Sequence, residues 1–246
     1  MSKLIDRLNR VTHSAPQPIG FRASQAAPAP VMQLVARLTG AGDPSAKRLS
    51  GADAALAPVT AITSGTAKLK AGSAGNLEKT AKLGADFVLF PAVGTPASIP
   101  PEDGAGVILE IESSTSDTVL RTVNDAPVDA ILVSDEERGE GPLTWAEMLR
   151  LQRVAKIVSL PLLVAVPAAT AVGELRVLSE AGVAGVVVGL DDEEADDLLA
   201  NLRKTIDGLP TPARKRSRGD AVIPQVGRET AAAADDEPDE DGEEFD

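Results

Sequence analysis

The chain has 246 residues, with 24 Lys and Arg against 37 Asp and Glu, and a formal net charge of −13. This balance disfavours binding to nucleic acid or to an anionic membrane, and an aromatic content of 2% leaves few rings for base stacking. Cys is absent and His13 is the single His, so the sequence excludes disulfides, thiolate nucleophiles, Cys-ligated zinc and His-rich metal sites. We therefore predict no metal site and no nucleic-acid partner.

The N-terminal segment, residues 1–16, is predicted to contain an amphipathic helix. Leu4, Ile5, Leu8 and Val11 recur there at helical spacing. The segment lacks the apolar region and cleavage site of a signal peptide, and no run of 18 apolar residues occurs in the chain. A cytoplasmic protein with no membrane partner is the expectation.

Short apolar runs bounded by Gly, Pro or Ser recur along residues 17–209. A nearly continuous apolar run of this length is typical of a parallel strand that is buried on both faces. Helical patterns separate the later runs, and Trp145, early in the predicted helix 143–157, is expected to anchor that helix to the sheet. The predicted strands are 19–22, 33–38, 53–58, 86–90, 106–111, 129–134, 162–166 and 185–188.

Eight parallel strands are the number that closes a barrel. An open doubly wound sheet would have five or six strands and a Gly-rich first turn, whereas neither GxGxxG nor GxxxxGK[ST] occurs here. The first connections are short and rich in Ala and Pro. The predicted α/β fold is therefore a (β/α)8 TIM-type barrel over residues 17–209, degenerate in its first half.

The composition changes sharply at the C-terminal end. Residues 235–246 carry nine acids and no base, and they follow a linker that contains the basic residues Arg214, Lys215, Arg216 and Arg218. Such a segment cannot bury enough apolar surface to offset the entropy lost on ordering. Residues 210–246 are therefore predicted to be a disordered linker and acidic tail.

Removal of residues 210–246 is expected to leave the thermal stability of the barrel nearly unchanged. A charged segment with few apolar residues contributes few packed contacts. Calorimetry of the full and the truncated chain measures this directly, and a fall of several degrees in Tm would show that the tail packs on the barrel.

Residues 160–190, LPLLVAVPAATAVGELRVLSEAGVAGVVVGL, resemble the last two βα units of phosphate-binding TIM barrels, including flavin-dependent enzymes of the nitronate monooxygenase group. The matching parts are the apolar strand 160–164, the segment 180–186 and Gly189. The resemblance implies a phosphate site between these units, with Gly189 as a binding residue and flavin mononucleotide as the cofactor.

The sequence departs from that group where the phosphate would bind. Val166, Pro167 and Ala168 replace the Gly-Gly pair, and Pro has no N–H while Ala adds a Cβ where the backbone must approach closely. Four acids, residues 191–194, lie just beyond Gly189 and would repel a phosphate. We therefore predict that the phosphate or flavin site is altered or lost and that no cofactor is bound.

Strand alternation predicts a second group of residues, at the mouth of the barrel. Glu110 and Glu112 share one face of a predicted strand, while Arg37 and Arg22 have inward positions on two others. A strand face covered by helices disfavours charge, so these side chains should face the lumen or its C-terminal rim, with Asp135 beside them. The carboxylates are candidate catalytic acids and bases, and the two Arg are candidate ligands of an anion.

Two functions fit these features. In the first, the barrel is non-catalytic, the charged residues pair with each other, and the protein binds a protein partner through its surface and tail. In the second, it is an enzyme that acts on a small anionic metabolite through lumen carboxylates and arginines, or through a modified site at Gly189 and a helix start near Thr170. The missing Gly-Gly pair and the absence of His and Lys from the predicted strands favour the first.

Overall fold

The computed structural model describes residues 2–12, 31–38, 49–58, 71–74, 85–95, 105–135, 141–190 and 197–210. Eight parallel strands follow one another in chain order around a closed barrel, and this confirms the predicted fold class. The strands are β1 Gln33–Leu38, β2 Ala54–Pro58, β3 Ala71–Ala74, β4 Phe87–Pro91, β5 Gly106–Ile111, β6 Ala130–Val133, β7 Leu162–Val166 and β8 Gly185–Leu190.

One predicted strand differs from the strands of the barrel. Residues 19–22 lie outside the described residues, and the ring closes without them because β1 pairs with β8 along its whole length. The strand that completes the count of eight is β3, whose sequence AGSA contains no large apolar side chain. It therefore lacks the apolar run by which the other strands could be identified.

Five helices belong to the described part of the chain. They are α1 Lys3–Thr12, α2 Asp117–Val123, α3 Trp145–Ile157, α4 Val172–Glu180 and α5 Leu198–Asp207. The helices α2 to α5 follow β5 to β8 in turn. Residues 39–48, 59–70 and 75–84, in the connections after β1, β2 and β3, lie outside the described residues, as do residues 211–246 of the predicted tail. No described helix has both the length and the apolar character needed to cross a membrane.

The core of the barrel is aliphatic apart from Phe87, in agreement with the low aromatic content of the sequence. One apolar cluster lies between the strands and the outer helices, and a second fills the lumen. The cavity left in the lumen has a volume of about 10 Å³, which is at the lower limit for one water molecule. Side chains of the described residues therefore fill the lumen, as is typical of a closed barrel of eight parallel strands. Its lining residues are Leu4, Val35, Leu56, Phe87, Leu89, Ile108, Leu132, Leu163 and Val187.

Helix α1 closes the N-terminal end of the barrel, and the buried carboxylate of Asp86 holds its first turn. Asp86 lies just before β4 and accepts hydrogen bonds from the backbone N–H of Lys3 and of Leu4, each at 3.0 Å. The Ser2 hydroxyl donates a third bond to the same side chain at 3.0 Å. A carboxylate from another element thus caps the helix and interacts favourably with its dipole.

The packing of α1 depends on a glycine at the start of β5. A Cβ on Gly106 would overlap the side chains of Ile5 and Ser2, so only Gly allows the helix to lie this close to the strand. Leu4, Ile5 and Leu8 are buried in the same cluster as the lumen side chains. The amphipathic face predicted from the sequence is therefore the face that covers the end of the barrel.

Two further aspartates, Asp53 just before β2 and Asp129 just before β6, have a structural role at this same end. Asp53 accepts a hydrogen bond from the backbone N–H of Leu34 at 2.9 Å, and Asp129 accepts one from Val107 at 2.8 Å. Each aspartate thus joins the start of its own strand to the strand before it. Arg203 of α5 also donates to Asp53, at 2.9 Å. These acids lie at the end of the barrel opposite to the mouth.

Candidate functional site

Three strands carry the lumen-facing pattern up to the C-terminal mouth. Val35, Ile108 and Val187 line the lumen, so strand alternation places Arg37, Glu110 and Gly189, two residues further on, at its upper rim. These rim residues belong to β1, β5 and β8 respectively.

Arg37 and Glu110 form an ion pair across the mouth. Nη1 of Arg37 lies 2.9 Å from Oε1 of Glu110, and the side chains are 35% and 15% exposed. Because β1 and β5 are separated by three strands in either direction around the ring, the pair spans the barrel above its apolar lumen. The structure thus brings together two of the residues that strand alternation placed on inward faces.

Glu112 and Asp135 do not join this pair, so the prediction of one lumen cluster is wrong for them. Strand β5 ends at Ile111, and in the turn that follows Glu112 is exposed and accepts a hydrogen bond from the Ser114 hydroxyl at 2.9 Å. The half-buried Asp135 accepts one from the backbone N–H of Ser113 at 2.7 Å. Alternation ceases to apply where the strand ends. Arg22 lies outside the described residues.

Gly189 leaves open space beside Arg37. The two residues are partners in the pairing of β1 with β8. Gly189 is exposed, and a Cβ built on it would meet no atom of the described residues within 4 Å. Among the described residues, therefore, nothing occupies this half of the phosphate site that the resemblance implies.

The other half of that site does not fit a phosphate. In the turn between β7 and α4, the backbone N–H and the hydroxyl of Thr170 both donate to the carbonyl of Pro167, which itself has no N–H. The first turn of α4 already contains a carboxylate, that of Glu174, which accepts from the backbone N–H of Leu143 at 2.8 Å. Helix α5 also begins with an acid, since Asp197 is its N-cap. Two helix starts that could hold an anion thus carry negative side chains.

A metal site is not found in the described part of the chain. No group of three or more His, Asp or Glu side chains lies close enough together there to hold an ion.

The position of Trp145 contradicts the prediction that it anchors its helix. The side chain is 83% exposed, because α3 buries Leu151 and Val154, which lie on the opposite side of the helix. A capping box holds the helix start instead: Thr144 accepts from the Glu147 N–H, and Glu147 accepts from the Thr144 N–H. The helical spacing of Leu151 and Val154 was the signal in the sequence that could have shown that Trp145 lies on the outer side of α3.

Comparisons with known proteins support the fold. No protein-family model and no curated protein matches the chain. A mutant tryptophan synthase alpha-subunit from the hyperthermophile Pyrococcus furiosus is similar in structure, with a TM-score of 0.53, 16% identity, and coverage of 72% of this chain and 97% of that chain. Thiamine phosphate pyrophosphorylase from Pyrococcus furiosus has a TM-score of 0.53 at 14% identity, with 72% and 96% covered.

At these identities the similarity shows the fold alone. Together with the closed ring of eight parallel strands, it shows that the chain is a TIM barrel. The finer resemblance of residues 160–190 to the flavin-dependent group is not shown by these structures.

Proposed function

We propose that this TIM barrel is non-catalytic, that its phosphate or flavin site is lost, and that it acts by binding a protein partner through its surface. The observation that carries the proposal is the ion pair between Arg37 and Glu110 across the mouth.

The pair occupies the position where a barrel enzyme contacts its substrate. A catalytic carboxylate or an anion-binding arginine must be available to the reacting molecule, whereas here each of the two groups neutralises the other. Separation of the pair would also leave the largely buried carboxylate of Glu110 without its counter-ion, which is costly.

The loss of the phosphate site rests on a separate observation. The turn after β7 contains Pro167 in place of a backbone donor, and its Thr170 N–H bonds within the turn. The acids at Glu174 and Asp197 add negative charge at the starts of α4 and α5. The cytoplasmic location expected from the sequence remains a prediction.

The second candidate function is an enzyme that acts on a small anion. Gly189 favours it, because this residue leaves open space beside an Arg37 side chain that is about one-third exposed. An anion could then approach Arg37 from the solvent side, with Glu110 as the neighbouring acid or base. Glu112 and Asp135 would have no part in it, since each is bound to a neighbouring residue instead.

Titration with inorganic phosphate and with flavin mononucleotide distinguishes the two functions. We expect no saturable heat of binding for either compound in calorimetry, and no visible flavin absorbance in the purified protein. The variant Pro167→Gly/Ala168→Gly carries the Gly-Gly pair in the turn between β7 and α4. The same titrations of this variant show whether the sequence of the turn accounts for the absence of binding.

Two results would contradict the proposal. One is flavin that co-purifies with the protein. The other is phosphate binding with a Kd below about 1 mM, equivalent to about −4 kcal/mol, that is lost in Arg37→Leu/Glu110→Leu. Either result would establish an anion site at the mouth.

A further inference from the structure

The outer side of α3 carries large apolar side chains where a surface helix ordinarily carries polar ones. Trp145 and Leu149 are 83% and 60% exposed. Trp is one of the residue types that dominate binding energy at protein interfaces. This side of the helix therefore favours contact with another protein surface.

Helix geometry defines which residues share this side. With about 100° of rotation per residue, Leu149, Gln152 and Lys156 all lie within about 40° of Trp145 around the axis of α3. Arg150 lies about 140° from Trp145 and does not belong to the group. We call the four residues that share the outer side, Trp145, Leu149, Gln152 and Lys156, the α3 stripe.

The α3 stripe has an aromatic ring at one end and a cation at the other. Lys156 is exposed and has no ion pair among the described residues. Arg153, in contrast, is paired with Asp117 of α2 at 3.0 Å. Eleven residues separate Trp145 from Lys156, which corresponds to about 17 Å along the helix axis.

We propose that the α3 stripe binds the α3 stripe of a second copy of this chain, with the two helices antiparallel. A two-fold axis at the middle of α3 places Lys156 of each copy opposite Trp145 of the other. The ammonium group can then lie over the face of the indole ring, in a cation–π interaction. Leu149 of each copy lies opposite Gln152 of the other, next to the axis.

The arrangement of the stripe selects a second copy as the occupant. The pair of positions 145 and 156 and the pair 149 and 152 have the same midpoint, between residues 150 and 151, so a single two-fold axis brings both pairs into register. A helix of another protein would have to supply a ring and a cation at this same spacing.

Electrostatic repulsion does not oppose the antiparallel contact. The two Lys156 ammonium groups lie at opposite ends of it, about 17 Å apart along the axis, whereas the Debye length is about 8 Å at physiological ionic strength. The proposal goes beyond the proposed function, because self-association through an outer helix leaves the mouth of the barrel unchanged.

The length of α3 limits the strength of the contact. Thirteen residues extend about 20 Å along the axis, and one helix from each copy makes a contact smaller than a standard protein interface. We therefore expect a reversible dimer with a Kd between about 1 μM and 1 mM.

Analytical ultracentrifugation of the full chain, from about 10 μM to about 1 mM, tests the proposal. The mass should rise with concentration from 25.3 kDa towards twice that value. Trp145 is the only Trp of the chain, so its fluorescence reports on the contact itself. The emission should shift to shorter wavelength over the same range of concentration.

Substitutions on the α3 stripe provide the matched variants. Trp145→Ala and Lys156→Glu should each weaken the dimer at least about tenfold, because each removes two symmetric ring–cation contacts. Lys156→Arg should keep the affinity, since a guanidinium also binds the face of an indole ring. Val93→Ala is the control, because Val93 is 84% exposed but follows β4 and should have no effect. Circular dichroism verifies that all variants are folded.

Single Cys variants test the antiparallel register, because the chain itself has no Cys. The two copies of residue 152 should lie about 5 Å apart along the axis, so Gln152→Cys should form a disulfide-linked dimer with a mild oxidant such as copper phenanthroline. Lys156→Cys should not, since its two copies are about 17 Å apart along the axis and a disulfide requires Cα atoms within about 7 Å.

Several results would overturn the proposal. They are a monomer at 1 mM, a dimer that Trp145→Ala leaves unchanged, a cross-link through Lys156→Cys instead of Gln152→Cys, and an emission shift that occurs only when a different protein is added. Phosphate or flavin binding at the mouth would instead contradict the proposed function and would leave the dimer unaffected.

Discussion

Replacement of Asp86 by Ala is expected to lower the free energy of unfolding by about 3 kcal/mol, since several hydrogen bonds to a charged group are lost together with a helix cap. The carboxylate is buried and accepts from the Lys3 and Leu4 N–H groups and from the Ser2 hydroxyl. Without it, these donors are left in an apolar environment at the end of the barrel. Helix α1 should loosen, and the lumen side chains beneath it should become exposed to water.

Urea unfolding of Asp86→Ala measures this loss. Asp125→Ala is a suitable control, because Asp125 is exposed and its replacement should change stability by less than about 0.5 kcal/mol. Asp86→Asn, which keeps one acceptor oxygen, should lie between the control and the Ala variant. A loss below about 1 kcal/mol for Asp86→Ala would mean that apolar packing alone holds α1 in place.

Arg37→Leu is expected to destabilise the barrel by about 2 kcal/mol, less than the 3–5 kcal/mol typical of a fully buried pair. The guanidinium is 35% exposed, so water compensates part of the loss, but the carboxylate of Glu110 beneath it is only 15% exposed. An unpaired carboxylate would then lie directly above an apolar lumen.

The double variant Arg37→Leu/Glu110→Leu should recover most of this stability, because replacement of both charges by apolar groups is often nearly neutral. Thermal or urea unfolding of the two single variants and the double variant forms a complete cycle and gives the coupling between the side chains. If Arg37→Leu has no effect, the ion pair does not close the mouth in solution, and the main support for the proposed function is lost.

The sequence was sufficient to predict most of the barrel. Strands such as β6 and β7 are continuous apolar runs that end at turn residues, so their buried position could be identified without the rest of the fold. In contrast, β3 consists of Ala, Gly and Ser and is a strand only because its neighbours β2 and β4 hold it by backbone hydrogen bonds. A local pattern cannot show a strand whose pairing is its main stabilisation.

The mouth could be predicted only as far as the strands extend. The alternation of side chains placed Arg37 and Glu110 correctly because both lie within regular strands. Val35 and Ile108 line the lumen, so the residues two positions further along each strand face the same way. The prediction from alternation failed for Glu112, because the strand ends at Ile111 and the chain then turns. The direction of the Glu112 side chain is therefore set by the turn. Trp145 illustrates a different failure, since a large aromatic residue was expected to be buried and the phase of α3 places it outside.

The dependence of α1 on Asp86 and Gly106 has a consequence for the order in which the chain folds during synthesis. Helix α1 is synthesised before the residues that hold it. Asp86, which caps the helix, lies 82 to 84 residues after the three residues that donate hydrogen bonds to it. Until β4 and β5 have left the ribosome, Leu4, Ile5 and Leu8 have no lumen to pack against, and a helix of ten residues is marginal by itself. Docking of the N-terminus is therefore a late, long-range event, and the nascent chain exposes an apolar segment that general chaperones can bind in the meantime.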